Sequence, residues 1–328
     1  ILNGEVNPSG KLADTYVYDL TATPAFNNFG DFTYENMNEF GWEEANPFSG
    51  ETKQNDVNFV NYVENIYVGY KFYETAYAEA EAGNMDFDYD KVVQYPFGYG
   101  LSYTSFSQKI VDSSETDEGI KLTVEVENTG DVAGKDVVEV YEQAPYIDGG
   151  VEKASVQLCG FAKTDVLAPG ESQQLTVEVD MQDIASYDYQ NDKTYVLDAG
   201  DYYFAIGNGA HEAINNILAA KGKTVDDGMD QDGDADKAGK YELEEKRLVS
   251  TDKYSGNEVT NLFEDADLNH YYDDEVTYLS RSDWKNTWPK TYSGIKASDE
   301  MIEDLENNYT AVDAGTEEPI TYGEDNGI

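Results

Sequence analysis

Apolar and polar side chains alternate in several short stretches through the middle of the chain. Residues 120–126 and 175–179 place apolar side chains at every second position, and the alternation returns at residues 202–206. A period of two is typical of strands that bury one face, and turn-forming residues separate these stretches. The pattern predicts an antiparallel β-sandwich that spans residues 108–210.

Helical patterns lie on either side of the predicted sandwich. Residues 71–82 are rich in Ala and Glu, contain no Gly or Pro, and are followed by Gly83, which predicts a helix with a glycine C-cap. Residues 62–70 alternate loosely and are predicted to form a strand. Two further short helices are predicted at residues 212–221 and 298–305.

These elements predict an α+β multidomain fold. Residues 1–107 form a partial α/β sandwich layer, residues 108–210 the antiparallel sandwich, and residues 211–328 an irregular acidic extension that ends in a linker. The first region has too few elements to fold independently. We therefore expect it to need a partner, either an earlier segment of the polypeptide or another chain.

Charge narrows the classes of partner. The chain has 328 residues, and its 67 acidic and 21 basic residues give a formal net charge of −46. Phosphate binding needs clusters of Lys and Arg, so this balance argues against a nucleic-acid partner and disfavours an anionic membrane surface. No apolar run in the sequence is long enough to predict a membrane span.

Cys and His are scarce, which restricts the metal and redox chemistry that the chain could support. The single cysteine, Cys159, excludes an internal disulfide and a thiolate metal cluster. The two histidines, His211 and His270, are far apart in sequence, which disfavours a histidine-based metal site. We predict no cofactor.

One acidic loop has the spacing of a calcium-binding loop. Aspartates occupy every second position at Asp230, Asp232, Asp234 and Asp236. An EF-hand loop needs Gly at its sixth position and Glu at its twelfth, but here those positions are Ala235 and Tyr241. A solvated acidic loop is therefore favoured over a Ca²⁺ site, with Asp230, Asp232 and Asp234 as the weak candidate ligands.

Two aromatic residues are candidates for contact with a sugar. Phe40 and Trp42 lie among Gly and Asn residues in a predicted loop that also contains carboxylates. Aromatic rings can stack on the apolar faces of sugars while carboxylates bind the hydroxyl groups. The alternative is that Trp42 packs against a neighbouring domain. A Ser-His-Asp site is disfavoured because the chain has no Gly-x-Ser-x-Gly turn.

Several motifs resemble glycoside hydrolase family 3, the family of β-glucosidases and β-xylosidases. Residues 4–12, 62–70 and 95–104 are similar to the last part of its α/β sandwich domain. Three later segments resemble motifs of its fibronectin type III-like domain; they lie at residues 124–134, 158–163 and 167–172. The resemblance implies a section of a retaining glycosidase that hydrolyses terminal β-linked glucose or xylose from oligosaccharides.

The tail resembles the connector of rearranged members of the family, in which the (β/α)8 barrel follows the fibronectin-like domain. Residues 259–263 and 278–289 carry this likeness, so the chain is expected to be an interior section that ends before the barrel. In the family the nucleophile lies on the barrel in a Ser-Asp-Trp signature. Ser282, Asp283 and Trp284 match those letters, but they lie outside any barrel pattern and Lys285 follows them. We do not assign the role to Asp283.

The acid/base glutamate of the family lies upstream of the segment that residues 4–12 resemble. The resemblance therefore implies no catalytic residue in this chain, which would be inactive alone and would contribute domain packing and a cleft rim. The implied partners are the remaining α/β sandwich and barrel segments and a β-linked oligosaccharide. The alternatives are a non-catalytic carbohydrate-binding module and a cell-surface assembly module. A homo-oligomer is compatible with the sequence, and the expected location is extracellular or at the cell surface, with the cytoplasm as the alternative.

Overall fold

The computed structural model describes residues 1–28, 32–40, 43–54, 58–116, 119–272, 276–284 and 295–307. The chain divides into two compact units. The first comprises residues 1–30, 60–264 and 276–291, and the second comprises residues 31–59, 265–275 and 292–328. The terminal residues 310–328, predicted to form a linker, lie outside the described residues.

Helices and strands alternate irregularly along the described residues. The α-helices are α1 Pro24–Asn28, α2 Tyr70–Glu81, α3 Tyr89–Val92, α4 Ala210–Ala220, α5 Leu268–Tyr271 and α6 Asp299–Asn307. The strands are β1 Tyr16–Val17, β2 Phe32–Thr33, β3 Glu43–Ala45, β4 Thr52–Gln54, β5 Asn58–Phe59, β6 Val93–Tyr95, β7 Phe106–Glu115, β8 Gly119–Asn128, β9 Val137–Gln143, β10 Gln157–Lys163, β11 Ser172–Asp180, β12 Ser186–Asp188, β13 Thr194–Leu197, β14 Gly200–Gly207, β15 Ala238–Leu243 and β16 Arg247–Val249. None of the described helices is long and apolar enough to cross a bilayer.

Two antiparallel sheets in the first unit enclose an apolar core, as the alternating pattern predicted. One has the strand order β11-β8-β7 and the other β10-β9-β14-β15. Leu122 and Val124 of β8 pack in this core with Val138 of β9 and Phe204 of β14, and all four side chains are almost fully buried. The α+β prediction is confirmed by these sheets and by the helices that accompany them.

The second sheet is covered on both faces. On β9, Val138 and Val140 face the core between the sheets, whereas Tyr141 belongs to a separate core on the opposite face. On β14, Phe204 and Ala205 divide between the two cores in the same way. Because successive side chains of a strand point to opposite faces, one strand can supply two cores only when both faces are buried.

Helices α2 and α4 form the outer wall of this second core. Tyr73, Ala76 and Tyr77 of α2 pack in one cluster with Ile214 and Ile217 of α4. Tyr73 precedes Ala76 by three residues and Tyr77 by four, and Ile214 precedes Ile217 by three, so these side chains fall on one face of each helix.

The predicted end of α2 is confirmed, and the strand predicted before α2 is wrong. Gly83 has φ +78° and its amide bonds back to the carbonyl of Ala80, so the helix ends in a left-handed glycine. Residues 63–66 form turns instead of a strand, and Asn65 has φ +56°. This left-handed residue breaks the extended backbone that a strand requires.

In its described residues, the second unit contains two short antiparallel strand pairs and the helices α5 and α6. Strand β2 pairs with β5, and β3 pairs with β4. The side chain of Asn36 binds both the carbonyl oxygen and the amide of Ala297, at 2.9 and 2.8 Å. The hydroxyl of Tyr271 donates to Asp304 at 2.8 Å, which joins α5 to α6. Helix α6 agrees with the helix predicted at residues 298–305.

A turn at Phe97 and Gly98 joins the parts of the first unit. The ring of Phe97 lies 4.4 Å from that of Tyr70 and 6.4 Å from that of Tyr141, while its carbonyl accepts the amide of Ala210 at 3.0 Å. Gly98 has φ +85°, and a Cβ there would lie 2.5 Å from the Cα of Gly209. The close approach of two backbones therefore requires glycine at residue 98.

We expect Gly98→Ala to lower the free energy of unfolding by about 2–4 kcal/mol, because it combines a left-handed alanine with a backbone clash. The matched control is Gly83→Ala, since Gly83 has a similar φ but no atom within 4 Å of an added Cβ. That control should cost about 1–2 kcal/mol. Urea denaturation of both variants measures the difference, and equal losses would contradict the close-approach argument.

Candidate functional site

A buried histidine lies where α2, α4 and an acidic loop meet. His211 is on the first turn of α4, and only 7% of its surface is exposed. Asn215 follows it by one turn and is also buried. From α2, Glu74 and Tyr77 approach the same point, and Glu74 is fully buried. Burial of this many polar groups requires that they satisfy one another by hydrogen bonds.

Both ring nitrogens of His211 contact a carboxylate. Nδ1 lies 2.8 Å from Oε2 of Glu74, and Nε2 lies 2.8 Å from Oδ2 of Asp230. The ring of Tyr89 stacks on the imidazole at a centroid distance of 3.7 Å and an interplanar angle of 12°. The arrangement fixes the position and the orientation of the imidazole.

Two tyrosine hydroxyls complete the hydrogen bonding of the carboxylates. Tyr89 donates to Oε1 of Glu74 at 2.5 Å. The hydroxyl of Tyr77 lies 2.9 Å from Oδ1 of Asp230 and accepts the backbone amide of Asp230 at 3.1 Å. Glu74, Tyr77, Tyr89, His211, Asn215 and Asp230 are called the His211 cluster below.

The cluster favours a positively charged imidazole. Burial opposes the charge, but the carboxylates of Glu74 and Asp230 outweigh it and raise the pKa of His211 to about 9. Burial would raise the pKa of Asp230, yet hydrogen bonds from His211 and Tyr77 bring it below its usual value. At neutral pH both ring nitrogens therefore donate a proton. Neither is free to act as a base or to bind a metal, so the cluster joins three segments electrostatically.

The predicted calcium ligands do not converge on a common point. Asp230 binds His211, whereas Asp234 caps a short 3-10 turn and accepts the amide of Asp236 at 3.0 Å. Asp232 is exposed. In the part of the chain that the structure describes, no group of three or more His, Cys, Asp or Glu side chains is arranged to hold a metal ion.

The two aromatic candidates have different outcomes. Phe40 is half-buried in the second unit, where its ring meets that of Tyr34 edge-on at 5.8 Å. Tyr34 in turn contacts Phe59 at 4.5 Å, so Phe40 belongs to a small aromatic cluster. Trp42 lies outside the described residues. A contact of either residue with a sugar stays a prediction.

The Ser-Asp-Trp triplet is divided between the surface and the interior. Asp283 is exposed. The ring of Trp284 packs against Tyr67 at 5.0 Å and Phe72 at 6.0 Å, beside the core that α2 and α4 enclose. The tryptophan therefore has a packing role in this unit.

Sequence reasoning missed the His211 cluster. The available signal was the spacing of polar residues: His211 and Asn215 are four apart, and Glu74 and Tyr77 are three apart, so each pair shares a helix face. Glu74 and His211, however, are 137 residues apart along the chain. Only the packing of α2 on α4 brings them together, and the sequence pattern does not specify that packing.

A family model of the fibronectin type III-like domain matches residues 136–210, within the predicted sandwich. A β-glucosidase of Ruminococcus albus is 40% identical over 217 residues, which covers 65% of this chain and 19% of that protein. β-Glucosidase A of Butyrivibrio fibrisolvens is 34% identical over 230 residues, covering 65% of this chain and 23% of that protein.

The chain is also similar to solved structures of β-glucosidases. A β-glucosidase from Paenibacillus barengoltzii is 31% identical with a TM-score of 0.53, covering 76% of this chain and 22% of that one. A family 3 β-glucosidase from Bifidobacterium adolescentis is 25% identical with a TM-score of 0.50. The match covers 84% of this chain and 30% of that one. The chain therefore spans less than a third of the length of each of these four relatives.

The raised pKa of His211 predicts a dependence of stability on pH. A histidine whose pKa is raised on folding stabilises the fold fully below its unfolded pKa of about 6.5 and loses that contribution as the pH rises through about 9. We expect His211→Gln to lower the free energy of unfolding by roughly 3 kcal/mol at pH 6. The gap to the unsubstituted protein should fall below about 1 kcal/mol by pH 10.

The buried Glu142 also stabilises the fold less as the pH rises, and its substitution serves as the control. Burial raises the pKa of Glu142 to about 8, against the opposing effect of Lys71 and Lys153, so its contribution also declines between about pH 4.5 and 8. Urea denaturation of His211→Gln and Glu142→Gln at pH 6, 8 and 10 separates the two groups. If the free energy of unfolding of His211→Gln changes with pH in parallel with that of the unsubstituted protein, the prediction that His211 is charged in the folded state is wrong.

Proposed function

We propose that this chain, which resembles part of the family 3 β-glucosidases as its motifs predicted, is a non-catalytic section of such an enzyme. Its role is to pack the domains together and to supply a rim of the substrate cleft. The reaction of the whole enzyme would be retaining hydrolysis of terminal β-linked glucose or xylose in oligosaccharides.

The observation that carries the proposal is the sheet β10-β9-β14-β15, which is covered on both faces. Three separate stretches of chain meet on its outer face: the α2 region, α4, and the segment that contains Trp284. A sandwich domain used in this way joins polypeptide segments that are distant in sequence. That is the expected work of a domain between others in a larger enzyme.

The positions of Glu74, Asp230 and Asp283 support a non-catalytic role. A retaining glycosidase needs two carboxyl groups about 5 Å apart, one to attack and one to protonate the leaving group. In the His211 cluster, Glu74 and Asp230 lie on opposite sides of the imidazole that binds them both. Asp283, whose neighbours match the family signature, is exposed.

The relatives support the proposed partners. Each is several times longer than its match to this chain, so the α/β sandwich and barrel segments are proposed to come from the same polypeptide or from another. Phe40 and Trp42 remain the proposed rim residues. We also propose an extracellular or cell-surface location, for which the net charge of −46 would favour solubility.

The test is an assay of the purified 328-residue chain with an aryl β-glucoside. We expect no hydrolysis above the buffer blank, because the chain is proposed to lack both catalytic carboxylates. The Asp283→Asn variant should give the same rate as the unsubstituted chain. Turnover by the unsubstituted chain that Asp283→Asn abolishes would refute the proposal.

A binding measurement distinguishes the alternative of a carbohydrate-binding module. In affinity electrophoresis through a gel that contains soluble β-glucan, we expect the isolated chain to migrate without retardation, because a cleft rim alone buries little of a sugar. Retardation that Phe40→Ala removes would favour the binding module instead. Phe161→Ala is the matched control, since Phe161 is 70% exposed and lies on β10.

A further inference from the structure

Residues 276–284 have no regular secondary structure, but the first unit holds them firmly. Val276 and Leu279 are almost fully buried. The amide of Leu279 donates to the carbonyl of Val63 at 2.7 Å, and its own carbonyl accepts the side chain of Asn65 at 3.5 Å. Irregular segments usually lie on the surface with their backbone groups bound to water, whereas here the protein satisfies them.

Glu152 binds this segment through both carboxylate oxygens. Oε1 accepts the hydroxyl of Ser280 at 2.5 Å, and Oε2 accepts the amide of Arg281 at 3.0 Å. The hydroxyl of Tyr67 also donates to Oε2. One charged acceptor therefore binds two consecutive residues of the segment, and hydrogen bonds to a charged group are stronger than neutral ones.

Arg281 inserts into the body of the unit. Its Nε binds Glu79 of α2, and the side chains of the pair are only 12% and 8% exposed. A terminal guanidinium nitrogen donates to the carbonyl of Lys153 at 3.1 Å, and the group lies 4.5 Å from the centre of the Tyr146 ring. A planar guanidinium can make these contacts at once, which the ammonium of lysine cannot. Arg281 is one of only two arginines in the sequence.

Trp284 completes the attachment through its packing against Tyr67 and Phe72. The backbone there has φ +50°, an uncommon value for a residue other than glycine, so the chain turns sharply as the ring enters the core. Backbone pairing, a bound carboxylate, a buried ion pair and an aromatic ring thus act within nine residues.

We propose that residues 276–284 are an anchor segment, in which Glu152 and Arg281 are positioning residues that fix the start of the chain beyond residue 284. Without these contacts, residue 284 would be held only through the chain that precedes residue 276, and the residues after it could explore a larger volume. With it, whatever follows begins at a defined point beside α2. The use of that point to place a further domain rests on the proposed function, but the attachment itself does not.

Hydrogen–deuterium exchange of the full chain tests the anchor. In the unsubstituted protein, peptides that cover residues 276–284 should exchange at least tenfold more slowly than an unstructured peptide of that sequence. We expect Glu152→Gln to speed their exchange at least tenfold, because a neutral amide offers one acceptor where the carboxylate offers two. Peptides from β8 and β11 should keep their protection. Glu178→Gln is the matched control, since Glu178 pairs with Lys121 at an exposed site, and it should leave residues 276–284 unchanged.

Ser280→Ala covers the case in which Glu152→Gln does not fold. It removes one of the three donors to Glu152, and exchange of residues 276–284 should rise severalfold with the remainder of the protein unaffected. Fast exchange of this segment in the unsubstituted protein would overturn the proposal, as would unchanged exchange in Ser280→Ala and in any Glu152→Gln protein that folds. The outcome is independent of glycosidase activity, so failure of the anchor and failure of the proposed function can be told apart.

Discussion

The first unit depends on a sheet whose two faces are both apolar. In β9, Val138 and Val140 pack into the core between the two sheets. Tyr141, the next residue, points to the opposite face and packs in the core with α2 and α4. A strand in an isolated sandwich would alternate apolar and polar residues, with the polar face in water. In β9, apolar side chains lie on both faces, so each face must be covered by other parts of the protein. The position of α2 and α4 is therefore set by the same strands that form the sandwich core.

Buried cations reinforce the seams between segments in a chain that is otherwise strongly acidic. His211 bonds to Glu74 and Asp230, Arg281 pairs with Glu79, and Lys153 pairs with Asp198. The residues of these pairs lie between 19 and 202 positions apart along the chain. Among 67 acidic residues, carboxylates near a seam repel one another unless a cation lies between them. His211 shows this most directly, because its ring lies between the carboxylates of Glu74 and Asp230.

The sequence predicted what depends on local pattern. The alternation at residues 120–126 identified β8 because each side chain there has only two faces to choose between, and Gly83 marked the end of α2 through its backbone freedom alone. The pattern at residues 62–70 failed because its loose alternation does not reveal the left-handed Asn65. His211, Glu74 and Asp230 come from three separate segments, and the geometry of the cluster follows from how α4 lies against α2. The composition offered only two histidines and many carboxylates, without a rule for pairing them.

Because β9 supplies side chains to two cores, the sandwich cannot be separated as a domain from the helices that cover its outer face. The fibronectin type III-like match covers residues 136–210 and includes β9 and β14, but not α2 or most of α4. If those helices were removed, Tyr141 and Ala205 would be exposed on the outer face of the sheet, together with the carboxylate of Glu139, whose pKa burial raises. Such an apolar sheet face is prone to association with other chains. The sandwich and its helical cover are therefore interdependent, and the structural unit is larger than the sequence family that identifies it.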